Sequence, residues 1–495
     1  MVLQRDTPLT SLWGYSSSGS IVDVTLSFNG NSYSALTDTT GIFRAVLPSM
    51  PATSIPFNIT FSTSGEPNIT ITDIVIGDVI LCSGQSNMQV SLEMAFNATA
   101  EIAALDAYGP MIRVMYVGGR NSFEPQIDIV TNIPWSRASA AVMGASSWSG
   151  FSAQCWYTGR SVFQLLNETV PIGLIESCVG GTAIRNWCST EALALCAQPY
   201  TPGYGETPYT HSQLFNGMIN GFGTGPTALK FVLWDQAESD SFPQTPIDYY
   251  GCQTIAQIND WRSLFKNIQL PWIFLHLQPY GANELETLRS SQLNALLLPN
   301  TGYATAMDLG DDTSPYGAVH FRNKQMAGYR AALSAFSIAY KDIYQTSSLY
   351  PPPTFLTQIA YFDNSTSIAS IDVYLTTTTA NQSLILLSPQ SVSCPSDVGI
   401  LNCASFQVLG SDGNIYQANA TLITSPLNQA IITVNAQLPN NGTYGVGTAY
   451  AWIEWPLVVL YYGGNGGSTD LLSLPVLPWR QGLSIPTMPG PRPTL

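Results

Sequence analysis

The sequence predicts an α/β protein: a mainly parallel, doubly wound sheet over residues 77–341, flanked by an N-terminal β-domain (1–76) and a C-terminal β-sandwich-like domain (342–495). Three observations predict it. Short runs with period-two alternation fill both ends of the chain, as antiparallel strands require. Between them, buried apolar runs alternate with segments whose apolar residues recur at helical spacing, the pattern of strands joined by helical crossovers. At 495 residues and 45% hydrophobic content, the chain can bury the core that two or three domains need.

The N-terminal domain rests on SIVDVTLSF (20–28), SYSALT, GIFRAVLP and FNITFST, separated by Gly, Pro, Asn and Ser. In the middle region the strand-like runs are VILC, VPIGLIES (170–177), LKFVLW (229–234), WIFLHLQ (272–278) and YATAMDL (303–309). Helical stripes lie between and after them: Trp156, Gly159 and Phe163; Ile258, Trp261 and Phe265; Met326, Tyr329 and Leu333. These stripes read as core. Beyond Pro351–Pro353, IASIDVYLT, SLILLS, QAIITVNA and TAYAWIEWPLVVLYY return to strand patterning, and the tail TMPGPRPTL is Pro-rich.

Composition excludes several classes of function. Only 10% of residues are charged and the net charge is -15, so no basic face is expected and nucleic acid is not an expected partner. The longest apolar candidate, Trp455–Tyr462, is too short for a membrane span. Eight cysteines without a CxxC pair point to disulfides in a secretory setting rather than to zinc. Cys394 and Cys403 read as a local staple; the other six leave fifteen full pairings open, and a buried free thiol such as Cys82 is an alternative. Eight N-x-S/T sequons, at Asn58, Asn68, Asn97, Asn167, Asn364, Asn381, Asn419 and Asn441, suit the same compartment. The opening MVLQRDTP lacks the apolar core of a signal peptide, which reads as a mature or trimmed chain, or one without its first exon.

Four segments of the middle region end strands in reactive or donor groups. GDVILCSGQSNMQ (77–89) delivers Ser86 just past a buried strand, where a nucleophile or a helix-capping serine would sit. In ESCVGGTAIRNW, Gly180 and Gly181 form either a plain turn or a place where backbone N–H groups approach a ligand closely. LWDQAESD brings Gln236, Glu238 and Asp240 after another strand, Gln236 as an oxyanion donor or as a helix cap. Of the three histidines, His276 lies inside an apolar strand and His211 in a loop, whereas His320 stands between a strand and a helix starting near Asn323, where a general base for a serine belongs.

Taken together, GDVILCSGQSNMQ, PIGLIESCVGGTAIRNW, NGMING, LWDQAESD, NDWRSLF and MDLGDDTSPYGAVHFRNKQMAGYR resemble, in order, the signature blocks of sialate O-acetylesterases, a branch of the SGNH (GDSL-like) hydrolases. The resemblance implies a flavodoxin-like hydrolase domain and removal of acetyl groups from O-acetylated sugars, with no cofactor. It makes Ser86 the nucleophile, Gly180/Gly181 and Gln236 the oxyanion donors alongside the Ser86 amide, and His320 the base. The chain also departs from the family. WYQGES is here WDQAES, with Asp235 for Tyr and Ala237 for Gly; IEAW is IRNW, with Arg185 in place of a carboxylate; HP is HF, with Phe321. The place three residues before the histidine, which often carries the orienting acid, is Gly317. That leaves a Ser–His dyad braced by a backbone carbonyl, or an acid from Asp308 or Asp311, of which Asp311 is the expectation. Arg185 offers a guanidinium fork for a substrate carboxylate or is a structural ion-pair member. Other acetylated glycans of the xylan type, or a non-catalytic sugar-binding glycoprotein, are the competing readings. The expected setting is the secretory pathway, secreted or lysosomal.

Overall fold

The computed structural model describes residues 1–144, 147–196, 211–225, 227–241, 247–282, 284–343, 350–376, 384–388, 405–424, 430–440, 442–464, 466–467, 469–471, 473–483 and 488–489. They form two compact units. One comprises Met1–Leu275, Ser290–Ala304 and Arg322–Lys341; the other comprises His276–Arg289, Thr305–Phe321 and Asp342–Leu495.

The first unit opens with short strands β1 (Val2–Gln4), β2 (Ser11–Tyr15), β3 (Ile21–Leu26), β4 (Ser32–Leu36), β5 (Ile42–Val46) and β6 (Thr53–Ser62). Alternation in β3 turns Val22, Val24 and Leu26 onto Phe57 and Ile59, a small core of its own. The sixteen-residue strand β7 (Ile69–Gly84) pairs antiparallel with β6 through its first half. Its second half lies parallel between two strands of the central sheet. Every residue from Ile74 to Gly84 is buried, so the border expected between 76 and 77 falls inside one continuous strand rather than at a solvated linker.

The central sheet adds β8 (Ile112–Val117), β9 (Thr131–Arg137), β10 (Ile172–Cys178), β11 (Phe231–Asp235), β12 (Trp272–His276) and β13 (Thr301–Thr305), in the order β13-β12-β11-β7-β10-β8-β9. The pairs β12/β11, β11/β7, β7/β10 and β10/β8 are parallel, and β9 closes the edge antiparallel. Helices α1 (Ser86–Gln89), α2 (Ala98–Tyr108), α3 (Ala140–Met143), α4 (Ala153–Leu165), α5 (Thr190–Ala194), α6 (Ile247–Leu264), α7 (Leu285–Gln292) and α8 (Lys324–Ala339) alternate with these strands as the periodicity predicts. Asn323 caps α8, its Oδ1 accepting from the Met326 N–H at 3.3 Å.

Two disulfides tie strand to helix and loop to helix: Cys82–Cys155 joins β7 to α4, and Cys196–Cys252 joins the segment after α5 to α6. Cys82 is therefore not a free thiol; Cys178 and Cys188 are the buried free ones among the described residues. Cys394 and Cys403 lie outside the described residues.

The second unit is built on an antiparallel β-domain, in which Ile368–Leu375 pairs with Phe355–Asp363 on one side and Ala430–Gln437 on the other. Ile371, Val373, Ile432 and Val434 face inward in its core. The same unit takes in His276–Arg289 and Thr305–Phe321. His276 is a core histidine here: burial, helped by the Arg289 charge, pushes its pKa down to about 3, and its Nδ1 lies 3.2 Å from Thr305 Oγ1.

Candidate active site

Three strand ends come out side by side. Gly84, Cys178 and Asp235 are in register at the carboxyl ends of β7, β10 and β11, so the loops bearing Ser86, Gly180/Gly181 and Gln236/Glu238 start from adjacent points. Gly84 allows this closeness. Its φ is +141°, and a Cβ there would stand 2.0 Å from the Asp235 carbonyl oxygen.

Ser86 is the first residue of α1 and 9% exposed. Gly180 packs against it: a Cβ on Gly180 would lie 3.2 Å from Ser86 Cβ. The Gly180 N–H donates to Gln89 Oε1 at 2.8 Å, and Gln89 Nε2 donates to the Trp148 carbonyl at 3.2 Å. Gln89, overlooked in the sequence, thus clamps the glycine loop onto α1, and Gly181, at φ +72°, presents the next amide.

Gln236 is fully buried, and its Nε2 meets three acceptors: Gln85 Oε1 at 3.0 Å, the Thr182 carbonyl at 3.0 Å and Asp240 Oδ2 at 2.6 Å. Its Oε1 accepts from Tyr250 Oη at 3.1 Å. In this state the amide expected at the oxyanion is spent on joining the loops. Gln85 closes the same knot, its N–H donating to the Asp235 carbonyl at 2.9 Å and its Oε1 accepting from the Ser239 N–H at 3.1 Å.

Asp240 also takes the Ile184 N–H at 3.0 Å. Burial pushes its pKa up to about 6, against the Gln236 hydrogen bond and the Arg185 charge, which hold it down. Arg185 is 5% exposed, so its guanidinium sits at depth beside that carboxylate. Beneath Ser86, Asn87 Nδ2 donates to Glu238 Oε1, Lys324 Nζ donates to Asn87 Oδ1 at 2.8 Å, and Lys324 faces Asp235 Oδ2 at 3.9 Å. Behind the glycine loop, Glu176 accepts the Ser152 N–H at 2.7 Å and the Cys178 thiol at 3.2 Å. Burial lifts Glu176 to about 8 and raises the Cys178 thiol well above its ordinary value.

Ala237 stands where the resemblance has glycine, at φ +141°, in backbone space that a β-carbon disfavours. Ala237→Gly is therefore expected to stabilise the first unit by about 1 kcal/mol, strain relief outweighing glycine's greater chain entropy. Urea unfolding midpoints check it; a lower midpoint in the variant would show the alanine to be unstrained.

His320 and Asp311 belong to the second unit. His320 Nδ1 lies 2.6 Å from the Tyr316 carbonyl oxygen. A carbonyl only accepts, so Nδ1 carries the hydrogen and Nε2 presents its lone pair. The Nδ1 partner is thus a main-chain carbonyl, the arrangement of the dyad alternative, and the Asp311 carboxylate accepts from Thr313 Oγ1 at 3.1 Å. The alternative Asp308 accepts from Tyr461 Oη at 3.2 Å. The loop holds itself: Ser314 Oγ donates to the His320 carbonyl at 2.7 Å, the His320 N–H donates to the Gly317 carbonyl at 2.9 Å, and Gln278 Nε2 donates to the Val319 carbonyl at 2.8 Å. Gly317 has φ +90°, so an aspartate three residues before the histidine would be strained.

Comparison with known proteins identifies the family. Residues 76–332 match the family described as carbohydrate esterase, sialic acid-specific acetylesterase. Sialate O-acetylesterase of Homo sapiens is 33% identical over 382 residues, 69% of this chain and 70% of that protein. The protein of the same name from Rattus norvegicus is 30% identical over 401 residues, 69% of this chain and 72% of that one. A solved carbohydrate acetylesterase from Xanthomonas citri shares the fold over 97% of this chain and 96% of its own, with a TM-score of 0.75 at 24% identity. The chain is an esterase and belongs to the sialic acid-specific acetylesterase family of carbohydrate esterases.

Proposed function

We propose that this protein removes O-acetyl groups from sialic acids through a Ser86 acyl-enzyme, on a flavodoxin-like, doubly wound SGNH scaffold. The observation that carries the reading is Ser86 packed against Gly180 where three parallel strands end, the crevice in which α/β sheets bind ligands. β7 has β10 on one side and β11 on the other, which suits the doubly wound topology. For His320 the support is its Nδ1 contact with the Tyr316 carbonyl, which makes Nε2 the accepting nitrogen that a general base needs.

In this mechanism His320 Nε2 takes the Ser86 Oγ proton as the oxygen attacks the acetyl carbon. The Tyr316 carbonyl keeps Nδ1 protonated throughout. The oxyanion forms against the Ser86 and Gly181 amides, with Gln236 and Gln89 holding the loops that carry them. The sugar hydroxyl leaves with the proton from His320, and water, deprotonated by the same imidazole, releases acetate. No step calls on a cofactor. The two disulfides suit an oxidising, secretory compartment, whether secreted or lysosomal.

The sugar class is tested by kcat/KM on 9-O-acetyl sialic acid against acetylated xylose. A preference for the acidic sugar is expected, and a preference for the xylose ester would move the assignment to plant-type glycans. Because Arg185 lies buried beside Asp240, Arg185→Ala is expected to slow both substrates alike. A selective loss on the sialic acid ester would give Arg185 the substrate carboxylate instead.

A further inference from the structure

A lysine ammonium with no exposure is costly and persists only where charge and hydrogen bonds compensate it. Lys324 is such a group, and its surroundings are equally buried: Asn87 and Lys324 are 0% exposed, Asp235 1% and Glu238 3%. These residues come from three stretches of the first unit. Asn87 is the second residue of α1, directly after Ser86; Asp235 ends β11 and Glu238 follows it; Lys324 starts α8. The contacts run in a chain, from Asp235 Oδ2 to Lys324 Nζ (3.9 Å), from Lys324 Nζ to Asn87 Oδ1 (2.8 Å), and from Asn87 Nδ2 to Glu238 Oε1. Asp235 replaces the tyrosine of the family block, so this chain supplies a second acid to a site that Glu238 already serves.

We propose that Asp235 and Lys324 are one positioning unit: the Asp235 carboxylate keeps the Lys324 ammonium charged, and the ammonium pins Asn87 and with it the α1 turn that presents Ser86. This deepens the mechanism proposed above and rests on Ser86 being its nucleophile. Burial drives both members toward neutrality, Asp235 upward and Lys324 downward, while each holds the other charged. The other groups facing the pair are Glu238 and, from β10, the Cys178 thiol, which burial and nearby acids keep protonated. Beyond Glu238 lies Asp240. When Lys324 loses its proton, Asn87 loses a charge-assisted hydrogen bond and the α1 turn its anchor, so activity falls on the alkaline side.

The test is the pH–rate profile of the full chain on 4-nitrophenyl acetate, with Ser86→Ala run beside it. Asp235→Asn keeps the shape and removes the charge that supports the ammonium. Its alkaline limb is expected about one pH unit below the wild type's, with kcat at the plateau reduced and KM little changed. Lys324→Met is expected to lower kcat at least about tenfold, with Lys324→Arg recovering part of the loss. An alkaline limb that stays in place in folded Asp235→Asn would overturn the proposal, and so would a wild-type kcat in Lys324→Met. Full activity in Ser86→Ala would sink the acyl-enzyme mechanism along with it. A dead Ser86→Ala beside an unmoved limb would sink the positioning unit alone.

Discussion

Replacing Ser86 by alanine is expected to lower kcat for acetyl ester hydrolysis by about 10⁴-fold or more, with KM little changed and the fold intact. The oxyanion donors of the proposed mechanism are main-chain amides of α1 and the glycine loop, and they survive the substitution. What is lost is the oxygen that forms the covalent intermediate. Ser83, three residues earlier, is in no position to replace it, because it is fully buried and donates its hydroxyl to the Ser177 carbonyl at 2.6 Å. Thermal unfolding should match wild type, because Ser86 sits inside the first turn of a four-residue helix, where alanine holds helical backbone at least as well as serine. Steady-state rates on an aryl acetate, together with the burst of product that an accumulating acyl-enzyme gives, measure the effect. Residual activity above about a hundredth of wild type would assign the attack to another group.

Ser86, Gly180 and the Gln236 loop can be read in the sequence because each follows a short apolar run, and parallel neighbouring strands bring such ends together. Two things cannot be read that way. Whether a buried amide spends its hydrogens on substrate or on scaffold depends on the acceptors around it; for Gln236 these come from Gln85, Thr182 and Asp240, residues up to 151 positions away. The border between β-region and sheet is hidden for a related reason: β7 stays paired across it, with β1 at residues 75–77 and with β10 from residue 78, so the chain offers no turn at residue 76. Lys324 reads as an ordinary first-turn helix residue. Only the fold reveals that it points among three polar partners, and the nearest textual signal is its place four residues after His320. Ala237 carries a clearer signal, since a tight loop that elsewhere uses glycine calls for positive φ, and an alanine in that place marks strain.

Which carbonyl would brace His320 escapes the sequence because every residue carries one, and the Tyr316 contact carries the second large prediction. His320→Ala is expected to cost about 10⁴-fold or more in kcat, whereas Asp311→Asn should stay within about tenfold of wild type. The reason is the 2.6 Å bond from Nδ1–H to the Tyr316 carbonyl, which selects the tautomer whose Nε2 accepts a proton whether or not Asp311 is charged. A carbonyl bears only partial charge, so it steadies the imidazolium less than a carboxylate would, and turnover is expected to be correspondingly modest. The loop geometry makes the substitution of roles understandable: Gly317 turns the chain at φ +90°, where an aspartate would be strained, and that turn aims the Tyr316 carbonyl at the ring. Measured on the same ester, a loss in Asp311→Asn comparable to that in His320→Ala would return the orienting role to the carboxylate and leave the Tyr316 contact as a structural detail of the loop.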